Sequence, residues 1–354
     1  MGRLIAAKTT AVLGETLCAI AITADSNSTL SKQYEIVLSI FALSCLIGCN
    51  HRAADQAFEP RKLRDYHFER TAERVERGRY LVTLAECFGC HSPIDSTLLL
   101  PVSGTEGSGD IIDTVGPIVA PNITPDLETG AGRWTDDMFV RAIREGIGHD
   151  DRRLHASMRS EYYGALTDED VASIIVYLRS IPPVRRNLPK TVWPEGERGV
   201  RDEILEDSVL TDRYSDTLSH GSYLVRIARC EHCHSPVDSV GRRKSGLRFA
   251  GGTVGIRDSL HPIVSKNITP DPSGISYYDR DLFIQAIRTG RVGGVRELNP
   301  WMEWPYLRVM TDFDLIAIFE YLRRQQPVRH NVDNSEPPYP CRLCGTIHGL
   351  GNLN

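Results

Sequence analysis

The sequence lacks an excess of positive charge, an apolar run long enough to cross a bilayer, and a dispersed set of cysteines. Its formal net charge of −5 gives no reason to expect a nucleic-acid partner. The apolar run at 36–48 is shorter than the roughly 20 residues that a membrane span requires. The nine cysteines are grouped, with three pairs at Cys-x-x-Cys spacing, which does not resemble a disulfide framework.

The N-terminal region carries the features of an export signal. Lys32 precedes the short apolar run, which ends in the letters LIGC at Leu46–Cys49. This ending resembles the lipobox of bacterial lipoproteins, so we expect a leader at 1–49 and a lipid on Cys49. The protein would then be a membrane-anchored lipoprotein in the periplasm or on the extracytoplasmic face. A plain signal peptide or an anchor helix with a chance cysteine is the alternative. Translation from near Leu30 would explain why the upstream residues fit a signal poorly.

Most of the remaining chain is a repeat. Four segments recur at offsets of 143 to 145 residues. They are Gly78–Asp95 with Gly221–Asp238, NITPD at Asn122 and Asn267, Phe139–Gly146 with Phe283–Gly290, and Leu166–Ser180 with Met310–Arg324. Two copies of one domain explain such a pattern.

The repeat sets the expected domain boundaries. We predict one domain at 72–185, called the first repeat below, and another at 215–332, called the second repeat. A tether would occupy 50–71, a polar linker 186–214 and a flexible tail 333–354.

The pattern inside each repeat is helical. Val75, Leu81 and Leu84 lie at helical spacing, and Thr135 and Thr167, each followed by acidic residues, predict two further helix starts. The long stretch between the first two helices is rich in Gly, Pro, Ser and Thr and has no sustained periodicity. A loop of this length usually has a function, such as wrapping a large cofactor. We therefore expect an all-α fold with long loops.

The Cys-x-x-Cys-His motif carries the chemistry. It occurs at Cys87, Cys90 and His91 and again at Cys230, Cys233 and His234. Two thiols at this spacing can bond to the two vinyl groups of one haem, and the adjacent histidine can then ligate the iron. A zinc site joining the pairs would need much shorter spacing, and a redox dithiol would need a βαβ context. The sequence therefore predicts two haem c groups.

These motifs give the chain a family resemblance. Together with NITPD, WTDDMFVRAIREG and a late Met before LTDEDV, they make it similar to class I c-type cytochromes in tandem. It resembles in particular the cytochrome c subunits of bacterial membrane-bound alcohol and gluconate dehydrogenases. The resemblance covers roughly 72–190 and 215–332. Those subunits commonly have three haem domains, and no third one fits here.

The resemblance also implies how the helices pack. The first helix of each domain, with its Gly and aromatic residue, would cross the last helix. Gly78 and Tyr80 would meet the helix that bears Tyr177. In the second repeat, Gly221 and Tyr223 would meet the helix that bears Tyr321.

The repeat discriminates between the methionines. Met158 aligns with Met302, whereas Met138 and Met310 align with leucines. In the family the second axial ligand is a Met in a loop just before the last helix, which fits Met158 and Met302. His149 and His155 are rivals in the first repeat, where the family's neighbouring Pro is absent, and His261 is a weaker rival in the second.

Two further features leave alternatives open. Asn122 and Asn267 of NITPD either shape a loop or form hydrogen bonds to the haem propionates. Cys341 and Cys344 are followed by Gly345 rather than His, so the tail predicts a local disulfide or, less readily, a metal site.

His/Met ligation would leave the iron six-coordinate, with no open position for a substrate. We therefore expect an electron carrier, not an enzyme, that works between a dehydrogenase or respiratory donor and a downstream acceptor. Its partners would be redox proteins and the membrane. The alternative is a dihaem peroxidase or other haem oxidoreductase with one displaceable axial ligand.

Overall fold

The structure is a computed structural model of the chain. It describes residues 59–113, 118–191, 216–238, 241–256, 262–335, 339–340, 342 and 347–348. The described residues from Lys62 onward belong to one compact unit. The expected leader with Cys49, nearly all of the linker, and Cys341 and Cys344 lie outside the described residues.

Helices make up most of the regular structure. The described α-helices are α1 Ala72–Leu84, α2 Cys87–Cys90, α3 Asp136–Val140, α4 Ser160–Tyr163, α5 Asp168–Leu178, α6 Thr217–Ile227, α7 Cys230–His234, α8 Arg280–Thr289, α9 Trp304–Leu307 and α10 Asp312–Arg323. A π-helical turn continues α3, and single 3₁₀ turns at Ala156–Met158 and Pro300–Met302 precede α4 and α9.

Short hairpins lie in the loops between the helices. The strands are β1 Ile94–Asp95, β2 Leu100–Pro101, β3 Asp110–Asp113, β4 Ile118–Ala120, β5 Val254–Ile256, β6 Pro262–Val264, β7 Arg291–Val292, β8 Arg296–Glu297, β9 Tyr339–Pro340 and β10 Ile347–His348. Each pairs with its sequence neighbour in an antiparallel two-stranded ladder. The helix-rich architecture agrees with the predicted class, but the all-α expectation missed these hairpins. Their strands are two to four residues long, which is too short for a period-2 pattern to stand out in the sequence.

Threonine caps set the helix starts that the sequence predicted. The side chains of Thr135 and Thr167 accept hydrogen bonds from the backbone N–H groups of Met138 and Asp170. Thr311 caps α10 in the same way. Acidic residues follow each threonine, where the positive end of the helix dipole favours them.

Two glycines allow the first and last helices of each repeat to cross closely. A β-carbon added at Gly78 would lie 2.0 Å from the backbone oxygen of Ser173 in α5. One added at Gly221 would lie 2.0 Å from the backbone oxygen of Ala317 in α10. The predicted crossing of α1 with α5 and of α6 with α10 is confirmed. A residue larger than glycine would not fit at either contact unless the facing backbone moved.

The hydroxyls of the two tyrosines form hydrogen bonds across the repeats, which the resemblance did not imply. The hydroxyl of Tyr80 in α1 donates to Asp314 of α10, and the guanidinium of Arg77 in α1 lies over the Tyr80 ring. Tyr223 of α6 donates to Asp170 of α5 at 2.5 Å. The two repeats therefore exchange hydrogen bonds across their contact, which sequence alignment of one domain could not reveal. One hydrophobic core includes residues of both repeats.

The described part of the expected tether, from Lys62, lies against the first repeat. The backbone N–H groups of Arg64 and Phe68 donate to Asp137 and Asp136 at the start of α3, at 2.6 and 2.7 Å. Among the described helices, none is both long and apolar enough to cross a membrane.

Candidate functional site

The two Cys-x-x-Cys pairs lie on equivalent short helices at the end of α1 and α6. Cys87 and Cys90 lie on α2, and Cys230 and Cys233 on α7, and all four are free thiols. Burial raises the pKa of Cys87 and Cys230 to about 12. A redox dithiol needs a thiolate at neutral pH, so these protonated thiols argue against the dithiol alternative.

Each motif histidine is held by a backbone carbonyl from a distant loop. Nδ1 of His91 is 2.7 Å from the oxygen of Pro121, and Nδ1 of His234 is 2.6 Å from the oxygen of Lys266. A carbonyl oxygen only accepts, so Nδ1 must donate its proton in both rings. Burial lowers the pKa of both histidines, which keeps them neutral. Nε2 therefore carries the lone pair, and the ring is set for binding a metal.

The NITPD segments hold those carbonyls in place. Asn122 is buried, and its Oδ1 accepts from the backbone N–H and the hydroxyl of Thr124 at 2.9 and 2.7 Å. Its Nδ2 donates to the oxygen of Val184 at 2.7 Å and to Thr129 at 3.1 Å. The side chain is thus used within the protein, which favours the loop-shaping alternative over a bond to a propionate.

The second repeat copies this arrangement. Asn267 accepts from Thr269 at 2.9 and 2.8 Å, and donates to the oxygen of Val328 at 2.8 Å and to Ser273 at 3.1 Å. Each Asn directly follows the residue whose carbonyl holds the histidine. It therefore ties that carbonyl to the segment after the last helix of the repeat.

A glycine also fixes each motif to the same loop. The N–H of Gly109 donates to the oxygen of His91 at 2.7 Å, and that of Gly251 to the oxygen of His234 at 2.8 Å. Both glycines have φ near +80°, a region that other residues rarely adopt.

The predicted methionine ligands occupy equivalent positions. Met158 and Met302 each end a 3₁₀ turn, and both are partly buried against the shared core. Met310 is buried in the core at 1% exposure, as is its counterpart Leu166. This similarity supports the view that Met310 is an exchangeable core residue.

The histidine rivals in the first repeat have other roles. Nδ1 of His155 accepts from the backbone N–H of Ser157 at 3.2 Å, which places the proton of the neutral ring on Nε2. Asn299 in the second repeat caps its turn in the same way, through Trp301 at 2.9 Å. His155 thus caps the turn that presents Met158.

His149 and His232 have other contacts as well. His149 is exposed and stacks on Trp134, with ring centroids 4.8 Å apart. His232, inside the second motif, packs edge-on against Tyr162 of the first repeat, and burial lowers its pKa to about 3. His261 lies outside the described residues.

The donor set fits haem better than a bare metal ion. Within the described ranges there is no cluster of three or more His, Cys, Asp or Glu side chains that could hold an ion. Each repeat instead offers two free thiols, a neutral imidazole with Nε2 available, and a methionine in a turn. This is the set that covalent haem with His/Met ligation requires.

Sequence reasoning missed a group of charges beside the motifs. The guanidinium of Arg229 donates to Glu86 at 2.5 Å and to Glu303 at 3.3 Å. Burial and the carboxylate of Glu303 raise the pKa of Glu86 above its ordinary value, and the guanidinium of Arg229 opposes this shift. Glu86 and Arg229 occupy equivalent positions of the repeat, directly before the first Cys of each motif. Complementary charges at equivalent positions were the signal that could have revealed this contact.

Comparison with known proteins agrees with this site. The chain is 32% identical over 264 residues to the fructose dehydrogenase cytochrome subunit of Gluconobacter japonicus, covering 70% of this chain and 52% of that protein. The chain is a homologue of cytochrome c subunits. It is also 27% identical over 281 residues to the cytochrome c subunit of a quinone-type alcohol dehydrogenase from Gluconacetobacter polyoxogenes, covering 73% and 58%.

A dihaem relative adds to the agreement. This cytochrome homologue is 27% identical over 193 residues to a diheme cytochrome c-type protein of Cereibacter sphaeroides, covering 50% of this chain and 62% of that protein. No family model matches the chain. It spans little more than half the length of the two dehydrogenase subunits just described. The predicted resemblance to cytochrome c subunits is confirmed. The names of these relatives agree with the prediction of an electron carrier rather than an enzyme.

Proposed function

We propose that the chain is a dihaem cytochrome c that carries electrons. Cys87 and Cys90 would attach one haem, and Cys230 and Cys233 the other. His91 with Met158, and His234 with Met302, would be the axial ligands. The repeats 72–185 and 215–332 would be two tandem class I cytochrome c domains, since five helices and a 3₁₀ turn recur in the same order in each.

The hydrogen bond from each motif histidine to a loop carbonyl is the observation that carries this proposal. It fixes the tautomer and the ring orientation that an iron ligand needs, in both repeats, beside a pair of free thiols. Bound haem would supply a reversible one-electron couple. The chain's own part is to exclude water, to hold the two ligands and to set the environment that tunes each potential.

The partner would be a dehydrogenase or another respiratory donor. Relatives named as cytochrome subunits of fructose and alcohol dehydrogenases support this choice. Export and a lipid on Cys49 remain predictions from the LIGC sequence. Periplasmic or extracytoplasmic location would follow, and haem attachment at Cys-x-x-Cys-His would be compatible with it.

The test is the intact mass and absorption spectrum of protein expressed in a periplasm with haem attachment. We expect the mass of the chain from Cys49 with lipid and two haems, two low-spin ferric haems and the far-red methionine–iron band. One haem or none would overturn the dihaem proposal. A high-spin ferric haem with peroxide turnover would instead support the oxidoreductase alternative.

A further inference from the structure

The contact between the repeats brings equivalent residues of the two motifs together. Glu86 directly precedes Cys87, and Arg229 directly precedes Cys230. Each begins its motif helix in the left-handed region, with φ of 55° and 56°. The 2.5 Å hydrogen bond between them therefore links the first residue before α2 to the first residue before α7.

The residues that follow the two methionines complete the group. Arg159 follows Met158 with φ of 56°, and Glu303 follows Met302 with φ of 63°. Seven non-glycine residues in the described part of the chain have positive φ, and four of them are Glu86, Arg159, Arg229 and Glu303. Such backbone persists where the surrounding structure enforces it, often at functional sites. We call these four residues the central charge cluster.

The pair at the centre of the central charge cluster is largely withdrawn from solvent. The side chains of Glu86 and Arg229 are only 17% and 12% exposed, whereas that of Glu303, the second partner of Arg229, is 35% exposed. Glu86 and Arg229 each directly precede the first Cys of their motif, so this contact joins the two Cys-x-x-Cys-His segments.

Helices beside the central charge cluster also contact the other repeat, and they do so reciprocally. Helix α4 of the first repeat contacts α6 of the second, and α9 of the second contacts α1 of the first. Tyr162 of α4 packs on His232 inside the second motif, and its hydroxyl accepts from Arg243. Tyr306 of α9, its counterpart, is buried close to Glu86 of the first repeat. The contact has the self-complementary character of a two-fold interface.

We propose that Glu86 and Arg229 are positioning residues that hold the two Cys-x-x-Cys-His segments at one fixed separation and orientation. This inference rests on the proposed function, because it assumes a haem on each segment. The two sites would then work as one relay within the chain. Transfer within the relay would move one electron between the two sites, so one site would be oxidised as the other is reduced.

Two spectroscopic measurements test the geometry of the purified, doubly loaded protein. Excitonic coupling in the Soret circular dichroism reports the separation and mutual orientation of two haems, and pulsed dipolar EPR reports the distribution of their distance. We expect a two-signed Soret couplet and a narrow distance distribution in the unmodified protein. Arg229→Gln should lose the couplet and broaden the distribution, because Glu86 and Glu303 lose the guanidinium that they share.

Graded variants keep the test decisive. Arg229→Lys should retain most of the couplet, and Glu86→Gln should change it less than Arg229→Gln, because the amide can still accept. Glu76→Gln, which alters an exposed pair with Arg79, is the matched control and should change nothing. If Arg229→Gln fails to fold, Glu303→Gln tests the same guanidinium from its second partner, and we expect a partial loss of the couplet.

Intact mass separates the two proposals. Loss of a haem from the unmodified protein would contradict the proposed function. A protein with two haems, no couplet and a broad distance distribution would overturn the positioning role alone. So would a doubly loaded Arg229→Gln variant indistinguishable from the unmodified protein.

Discussion

The hydroxyl of Tyr223 in the second repeat donates a 2.5 Å hydrogen bond to Oδ2 of Asp170 in the first. Tyr80 of the first repeat donates to Asp314 of the second. Each aspartate also binds the first helix of its own repeat, since Arg77 donates to Asp170 at 3.0 Å and His220 to Asp314 at 2.5 Å. Both carboxylates are buried. Each carboxylate therefore stabilises both the crossing of two helices inside its own repeat and the contact between the two repeats.

Removing the tyrosine hydroxyls should uncouple the repeats. Tyr80→Phe and Tyr223→Phe should each lower the free energy of unfolding by about 1.5 kcal/mol, because each removes a hydrogen bond to a buried carboxylate. The double variant should unfold in two transitions rather than one. Chemical denaturation followed by circular dichroism and Soret absorbance measures both effects.

Tyr177→Phe, in the last helix of the first repeat, provides the comparison for this experiment. It removes a hydroxyl of the same kind from a half-buried position away from these aspartates. It should leave a single transition. A single, unshifted transition in the Tyr80→Phe, Tyr223→Phe double variant would show that the hydrogen bonds do not couple the repeats.

Gly78→Ala should destabilise the first repeat by about 3 kcal/mol, because the added methyl would meet backbone that cannot move without separating α1 from α5. Gly221→Ala should act in the same way on α6 and α10. Thermal unfolding measures the loss. The control is Glu76→Ala on the exposed side of α1, and a Gly78→Ala protein as stable as this control would refute the close crossing.

If Met158 and Met302 are the axial ligands, their variants should differ in absorption spectrum from variants of the other two methionines. Met158→Ala and Met302→Ala should each remove about half of the far-red methionine–iron band and lower one reduction potential, because each removes one thioether ligand. Absorption spectra and redox titration measure these changes. Met138→Leu and Met310→Leu should retain the full band, and loss of the band in either of them would reassign the ligand.

His155→Asn tests whether His155, the rival of Met158, is an iron ligand. Asn299 already caps the equivalent turn of the second repeat, so an asparagine at 155 should preserve the turn and the methionine band. If the band grows or the first-repeat spectrum changes to that of another ligand set, His155 was a ligand and not a cap.

Acid should destabilise the contact at Asp314. Burial alone would raise the pKa of Asp314, but hydrogen bonds from His220 and Tyr80 outweigh it, so its pKa lies below the ordinary value of 3.8. The unfolded chain therefore binds the proton first, and the stabilisation present above pH 3.8 is lost as pH falls below that value. The loss for this single group can reach at most about 1.4 kcal/mol per pH unit.

Urea unfolding from pH 5 downward measures this dependence. Asp314→Asn should be less stable at pH 5 and should lose less stability on acidification than the unmodified protein. Asp312→Asn, an exposed carboxylate on the same helix, should keep the unmodified slope. Equal slopes for Asp314→Asn and the unmodified protein would contradict the assignment.

Local chemistry explains what could be predicted at each site. The Cys-x-x-Cys-His spacing and the threonine caps are short-range features that are visible in the letters, and the repeat made the alignment of Met158 with Met302 visible as well. The carbonyls of Pro121 and Lys266 could not be found in this way. A backbone oxygen has no residue type to mark it, and only the folded loop brings it within 2.7 Å of a histidine.

The sequence alone determined the repeat and the motif pairs, because both can be read from residue type and spacing. The resemblance to class I c-type cytochromes implied the close glycine crossings, which the structure confirms. Only the tertiary structure decided that Tyr80 and Tyr223 bind across the repeats and that Glu86 meets Arg229. Those contacts join residues 53, 143 and 234 positions apart. Their energy depends on how two separately formed surfaces meet, which no spacing along one chain records.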